Sequence, residues 1–353
     1  MSDDRIRLME VCGTHTMAIA RAGIKQLLPD SVALLSGPGC PVCVTSARDI
    51  DRALALGRQK DVTFATFGDM MRVPGSRGSL QDLKREGHDV RVVYSCLDAL
   101  EVARRHPGRQ VVFMGVGFET TSPTVAATVL KARRAGIRNF SVFSCFKLIF
   151  PALETLLRAG DVRVDGFLCP GHVSVITGSR PYERIARRFG KPCVITGFEP
   201  SDIIGGISTL IRLIRHRRPR VVIEYKRAVR PAGNRKAAAL LATVFEPVTA
   251  AWRGLGTIPD SGLAFRRAFR DFDAARRWPV RAAAVREPAG CLCGAVLRGS
   301  KAPGDCRLFG KKCVPERPVG PCMVSSEGAC AAFYRYEGNA KGALPLMAQM
   351  KTG

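Results

Sequence analysis

The chain of 353 residues contains no run of about 18 uncharged apolar residues, the length a membrane-spanning helix needs. Even the apolar stretch Phe140–Phe150 is interrupted by Lys147. The first ten residues, Met-Ser-Asp-Asp-Arg-Ile-Arg-Leu-Met-Glu, lack the apolar core of a secretory signal. A soluble cytoplasmic protein is therefore expected, with no membrane partner, in a compartment that keeps thiols reduced. Acidic residues are also few: 30 against 55 lysines and arginines, a formal net charge of +25. Such an excess raises nucleic acid as a partner. No helix-turn-helix, zinc-finger or aromatic stacking pattern accompanies it, and only Arg212–Arg230 is densely basic. Elsewhere the arginines are scattered over helix faces, as at Arg187–Arg188 and Arg276–Arg277. A solvated basic face is the leading reading, an acidic protein partner the second, and nucleic acid the weakest.

Cysteine, by contrast, is abundant. Of thirteen, Cys291, Cys293, Cys306, Cys313, Cys322 and Cys330 fall in the last fifth of the chain, and Cys12, Cys40 and Cys43 lie near its start. A chain of this length holds two or three domains and needs no disulfides for stability. Its apolar fraction of 46% is that of an ordinary globular protein. Clustered cysteines in a reducing compartment point to metal binding or catalysis. Thiolates suit soft metals and iron–sulfur clusters, and close pairs are reversible redox couples.

From residue 5 to about 245, short β-branched runs alternate with amphipathic helical patterns, which predicts parallel sheets covered by helices. Strands are expected at Arg7–Val11, Val32–Leu35, Val62–Thr66, Val90–Tyr94, Val111–Val116, Phe140–Ser144, Gly166–Leu168, Cys193–Thr196 and Val221–Tyr225. Ser79, and Ser122 before Pro123, read as helix N-caps. So many strands are too many for one small sheet. The expected architecture is α/β: two doubly wound parallel-sheet lobes of similar fold, 1–118 and 119–248, dividing near 117–125. A third region, 249–353, follows, and its Gly-, Pro- and Cys-rich stretch 288–330 has almost no periodicity and needs a metal or cluster to organise it. The unusual residues follow strands repeatedly: Cys12–Thr16, Gly37–Cys43, Phe67–Met70, Gly117–Thr121, Cys169–His172 and Gly197–Pro200. In open α/β sheets ligands bind beyond the carboxyl ends of strands, so these loops are expected to converge on one cleft.

In the tail, Cys293, Cys306, Cys313 and Cys330 are separated by 12, 6 and 16 residues, with Cys291 and Cys322 left over. Four thiolates are what a 4Fe–4S cluster requires, and Gly294, Gly304, Gly310 and Gly328 let backbone pass close to the sulfides. Structural zinc is the main rival, although zinc sites usually show two tight pairs; ordinary buried thiols are the remaining reading. Cys40-Pro-Val-Cys43 after Gly-Pro-Gly reads as a redox couple if it opens a helix, or as a stray buried pair. Cys12 with His15 is commonly a core thiol and a core histidine, but two thiolate sites beside it make an iron site plausible. Glu119 and Glu199, each after Gly-Phe, fit acid–base or positioning roles, or else cap helices. His172 is equally ambiguous. Cys96, Cys145 and Cys193 read as core.

Taken together, Met9-Glu-Val-Cys-Gly-Thr-His-Thr16 and Gly37-Pro-Gly-Cys-Pro-Val-Cys-Val44 closely resemble HypD, the scaffold family of NiFe-hydrogenase maturation. Phe67–Gly75, Gly117–Thr121, Pro170–Ser174, Gly197–Pro200, Cys293–Leu297, Cys306–Gly310, Cys313 and Met323–Cys330 extend the resemblance over nearly the whole chain, in the family's order. Members are expected to carry a longer helical leader ahead of the motif that here begins at Met9. The resemblance implies an assembly scaffold more than a simple turnover enzyme. With the small chaperone HypC it would hold the iron on which Fe(CN)2CO is built, HypE supplying cyanide as a thiocyanate made from carbamoyl phosphate through HypF. The hydrogenase large subunit would be served indirectly. Carried over by motif, Cys12 is the iron-holding thiolate shared with a cysteine of HypC. Cys40 and Cys43 bind iron or cycle between dithiol and disulfide, and Cys293, Cys306, Cys313 and Cys330 hold the cluster. Because cyanide transfer from sulfur to iron consumes electrons, a relay from the cluster through Cys40/Cys43 to Cys12 is expected. The alternative is a cluster-linked thiol–disulfide oxidoreductase without the second iron; a cluster-containing nucleic-acid binder is a third reading.

Overall fold

Nine strands form where β-branched and aromatic residues gather. They are β1 (Ile6–Glu10), β2 (Val32–Ser36), β3 (Val62–Thr66), β4 (Val90–Val92), β5 (Gln110–Gly115), β6 (Phe140–Ser144), β7 (Gly166–Cys169), β8 (Cys193–Ile195) and β9 (Val221–Ile223). All nine lie where the sequence pattern places them. The computed structural model describes residues 5–280, 285 and 287–338; the end of the expected third region, 339–353, lies outside the described residues.

The strands make two sheets, ordered β2-β1-β7-β8-β9 and β4-β3-β5-β6, and every pairing in them is parallel. Alternate residues enter opposite cores. Leu8, Leu168 and Val194 pack on one face of the first sheet, and Met9, Phe167, Cys169 and Ile195 on the other. In the second sheet Val111, Phe113 and Val142 face one way and Val112, Met114 and Phe143 the other. Both sheets are thus buried on two faces, as parallel sheets require.

The strands are apportioned differently from a sequential division near 117–125. β1 and β2 share a sheet with β7–β9, while β3–β6 form an inserted sheet. Segments 1–118 and 119–248 therefore each give strands to both sheets. Periodicity identifies a buried strand but not its neighbour, and here β1 pairs with β7 across more than 150 residues, Met9 opposite Phe167.

Two further strands were not anticipated. β10 (Phe245–Trp252) and β11 (Gly256–Phe265) form an antiparallel hairpin, its register shifted between Val248 and Ala250. Phe245 packs edge-on against Phe146 and tilted against Phe265, with centroids 5.7 and 4.7 Å away, and so covers the inserted sheet. Ser79 caps its helix in a reciprocal box with Asp82, as expected. Ser122 does not cap: Thr121 is the boundary residue, and the Ser122 hydroxyl donates to the Phe118 carbonyl at 3.2 Å. Among the described residues no helix is long and apolar enough to cross a membrane.

The interleaving makes a prediction. A fragment of residues 1–118 leaves β1 without β7 and β5 without β6, so it should show no cooperative unfolding by circular dichroism. A sharp melting transition in that fragment would contradict the topology.

Candidate functional site

Each sheet reverses its strand order once, between β1 and β7 in the first and between β3 and β5 in the second. Such switch points open a crevice at the carboxyl ends of the flanking strands. The motif loops leave from these places: Cys12 after β1, Cys169–His172 after β7, Phe67–Met70 after β3 and Gly117–Glu119 after β5.

At the first switch point, Cys12 is the residue preceding the helix Gly13–Arg21. The Gly37-Pro-Gly turn presses against it. A Cβ on Gly39 would stand 2.1 Å from the Cys12 amide nitrogen, and Gly13 N–H donates to the Gly39 carbonyl at 2.9 Å. Only glycine permits that backbone approach. Glu10, buried in β1, accepts from Cys12 N–H at 3.0 Å and from the Thr16 hydroxyl at 2.5 Å. Burial pushes its carboxyl up to about 7. Burial, with the Glu10 and Glu327 carboxylates adding to it, pushes the Cys12 thiol up to about 12 against the pull of the His15 and Thr14 amides. A bound cation would reverse that balance. His15 is fully buried; its Nε2 donates to the Gly197 carbonyl at 2.9 Å, so Nδ1 is the acceptor nitrogen, and it has no partner. Burial lowers its pKa to about 4, keeping the ring neutral. Phe198 lies between the His15 and His172 rings, 4.9 and 4.0 Å away.

Cys40 and Cys43 are joined as a disulfide at the start of the short helix Pro41–Val44. The tail comes directly to this pair: the Cys43 sulfur is 4.0 Å from the Pro321 carbonyl, and Cys40, Cys43, Cys293 and Cys322 share one apolar cluster. The same tail segment reaches both sheets. Ser325 donates to Asp69 beyond β3 at 2.9 Å, and Thr14 beyond β1 donates to Glu327 at 2.6 Å. Behind it, Arg253 is buried and spends its guanidinium on the Thr45 carbonyl at 3.0 Å, the Pro74 carbonyl at 3.3 Å and Glu287 at 2.6 Å.

All six tail cysteines line one cavity, together with Leu308, Phe309 and Met323. Cys293, Cys306, Cys313 and Cys330 are thus brought together, but Cys291 and Cys322 stand beside them, with Cys322 2.7 Å from the Cys293 sulfur. A thiol-lined, apolar-walled cavity fits the donor chemistry of an iron–sulfur cluster. Among the described residues no three His, Cys, Asp or Glu side chains are preset around a single metal ion.

The two Gly-Phe-Glu motifs diverge. Glu119 is buried and its Oε1 accepts from Ile149 N–H at 3.1 Å, capping a helix that begins 30 residues later. Its Oε2 has no partner, and burial raises its pKa to about 7. Glu199 is exposed and precedes the helix Pro200–Arg215, where its N–H donates to Asp202; this is the capping position. His172 is exposed at the mouth. Cys96, Cys145 and Cys193 are buried in the cores as expected. Sequence reasoning missed Glu10, Asp69, Arg253 and Glu327. An acid inside an apolar strand next to Cys12 was the available signal for Glu10; Glu327 sits in the quoted Met323–Cys330 motif, and nothing local marks its partner Thr14.

Fold and site together define a two-lobed α/β protein whose sulfur chemistry is gathered at the strand ends of both sheets. The HypD profile, described as the hydrogenase formation hypA family, matches residues 1–337. A hydrogenase maturation factor HypD of Cupriavidus necator is 48% identical over 340 residues, covering 94% of this chain and 90% of its own. The factors of the same name from Azotobacter vinelandii and Rhodobacter capsulatus are 48% and 46% identical over 94% of this chain, and 89% and 90% of theirs. The chain belongs to the HypD family of hydrogenase maturation factors.

The Glu119 environment sets a pH dependence. Its folded pKa lies above the ordinary 4.5, so its contribution is fully present below 4.5 and is lost as pH rises through about 7. Glu119→Gln keeps an acceptor for Ile149 and cannot ionise. Denaturant titrations should show the variant gaining on the wild type between pH 5 and 8, by about 3 kcal/mol at most. His15 acts in the opposite sense, losing its contribution as pH falls through about 4, and is common to both proteins. A constant difference across that range would show that Glu119 is not held neutral by burial.

Proposed function

We propose that the chain is an assembly scaffold that works with a HypC-like small chaperone. On it an iron ion acquires the ligands of the Fe(CN)2CO unit destined for a NiFe-hydrogenase large subunit. The observation that carries this reading is that the turn leading into Cys40 presses on the Cys12 backbone, while the Cys40–Cys43 pair shares one apolar cluster with the tail thiols Cys293 and Cys322. A cytoplasmic location goes with this role.

Iron here is cargo. Cys12 offers a thiolate once the metal displaces its proton, a coupling that makes loading pH-dependent. The unpartnered His15 Nδ1 belongs to the same helix start, where it can accept a proton or a metal. Cys293, Cys306, Cys313 and Cys330 would hold a 4Fe–4S cluster, which supplies electrons when bound. Cyanide arrives as a thiocyanate on a HypE-like donor. Breaking its S–C bond takes two electrons and one proton, giving a thiol and a cyanide ion. Closure of the Cys40/Cys43 dithiol releases two electrons and two protons, so the exchange balances with one proton passing to solvent. Glu119, a buried acid, follows β5 and the exposed His172 follows β7, each at a switch point, while the exposed Glu199 follows β8.

Cys40→Ser with Cys43→Ser should abolish infrared bands of iron-bound cyanide in the complex purified without oxygen, while the visible absorption of the tail cluster stays intact. Normal ligand assembly in that double variant would rule out the thiol pair as electron donor. The disulfide seated against the tail thiols also favours a second reading, a cluster-linked thiol–disulfide oxidoreductase. Iron content in excess of the cluster distinguishes the scaffold from it.

A further inference from the structure

The tail cavity holds more thiols than one cluster uses. Four ligands suffice for a 4Fe–4S centre, whereas six cysteines line the cavity. We propose that Cys291 and Cys322 are stand-in ligands: each takes over an iron when an adjacent cysteine of the four is lost. The cluster then survives some single losses and not others, according to which thiol has a spare beside it. This rests on the cluster reading above.

The spares are not evenly placed. Cys322 is fully buried, with its sulfur 2.7 Å from that of Cys293, and Cys330 packs against the apolar cluster that holds it. Cys291 packs against the same cluster, which contains Cys293. Gly320 leaves room for both, since a Cβ there would stand 2.7 Å from the Cys291 sulfur and 3.8 Å from that of Cys293. Cys293 therefore has a spare on each side and Cys330 has one. Cys313 lies instead in a separate cluster with Met323 and Ala331, against which Cys330 packs, and its sulfur accepts from Val319 N–H at 3.3 Å. Ligation exchanges the thiol proton for an iron–sulfur bond, and no electron is transferred.

Full-length protein reconstituted without oxygen from ferrous iron and sulfide tests this by iron and acid-labile sulfide content, visible absorption and electron paramagnetic resonance. Wild type should hold about four irons and four sulfides per chain. Cys293→Ser should hold as many, with a shifted resonance. Cys313→Ser should lose most of them, a drop of roughly fourfold or more. Cys291→Ser with Cys322→Ser should keep the cluster, and adding Cys293→Ser to that pair should abolish it. Circular dichroism identifies any variant that fails to fold; Cys330→Ser, for which Cys322 is the spare, replaces Cys293→Ser in that event. A wild type that takes up no cluster would overturn the underlying reading. A loaded wild type with an empty but folded Cys293→Ser, or a Cys313→Ser as full as Cys293→Ser, would overturn the stand-in role.

Discussion

The seating of Pro321–Gly328 across the carboxyl ends of both sheets is the interaction on which the rest of the structure depends. Within eight residues this segment brings a carbonyl to 4.0 Å from the Cys43 sulfur and gives a thiol to the tail cavity, a hydroxyl to Asp69 and a carboxylate to Thr14. Its fit is steric as well as polar. A Cβ on Gly13 would stand 2.6 Å from the Glu327 side chain, and one on Gly328 2.2 Å from the Cys322 carbonyl. Those glycines let the segment lie flat against the Cys12 loop, and any larger residue would lift it away.

A second clamp lies behind the first. The hairpin turn after Trp252 crosses the Cys293 helix so closely that a Cβ on Gly254 would meet Gly294 Cα at 2.5 Å. Arg253 N–H donates to the Val44 carbonyl at 2.8 Å, while its side chain fastens the loops after residues 44 and 73. A buried guanidinium is tolerated only when its donors are paired, and here backbone carbonyls do most of that work. Arg253 therefore joins the disulfide helix and the tail into one unit, and loss of it would leave buried carbonyls without donors as well as a gap.

The elements of this molecule were largely legible in its sequence, and their assembly was not. Nine strands fall where β-branched runs occur, because burial on both faces demands apolar residues at successive positions. The motif loops lie at strand ends, as their Gly and Cys content implied. The pairing of β1 with β7 was hidden, because residues more than 150 positions apart carry no mutual signature in a single chain. Thr14 and Glu327 are separated by 313 positions, and for the same reason Glu327 went unnoticed inside a motif that had been read for its cysteine. The hairpin β10–β11 was masked by Pro247 and by its register shift, which break the alternation a strand is known by. Ser122 looked like a cap because proline follows it; the buried carbonyl of Phe118 takes its hydroxyl instead.

The site is built to be incomplete on its own. Cys12 is held as a thiol and His15 as a neutral ring, each by burial, while Glu10 and Glu119 sit near their own midpoints at neutral pH. The folded chain thus keeps proton-carrying groups buried at the ends of β1 and β5. Under the iron reading proposed above, a cation held at Cys12 would displace the thiol proton and favour ionisation of Glu10 beside it. A preformed cluster of thiolates and carboxylates would repel itself in a dry interior. Held uncharged, the Cys12 thiol, the Glu10 carboxyl and the His15 ring can be buried together at the end of β1 at a fraction of the cost that ionised groups would carry there.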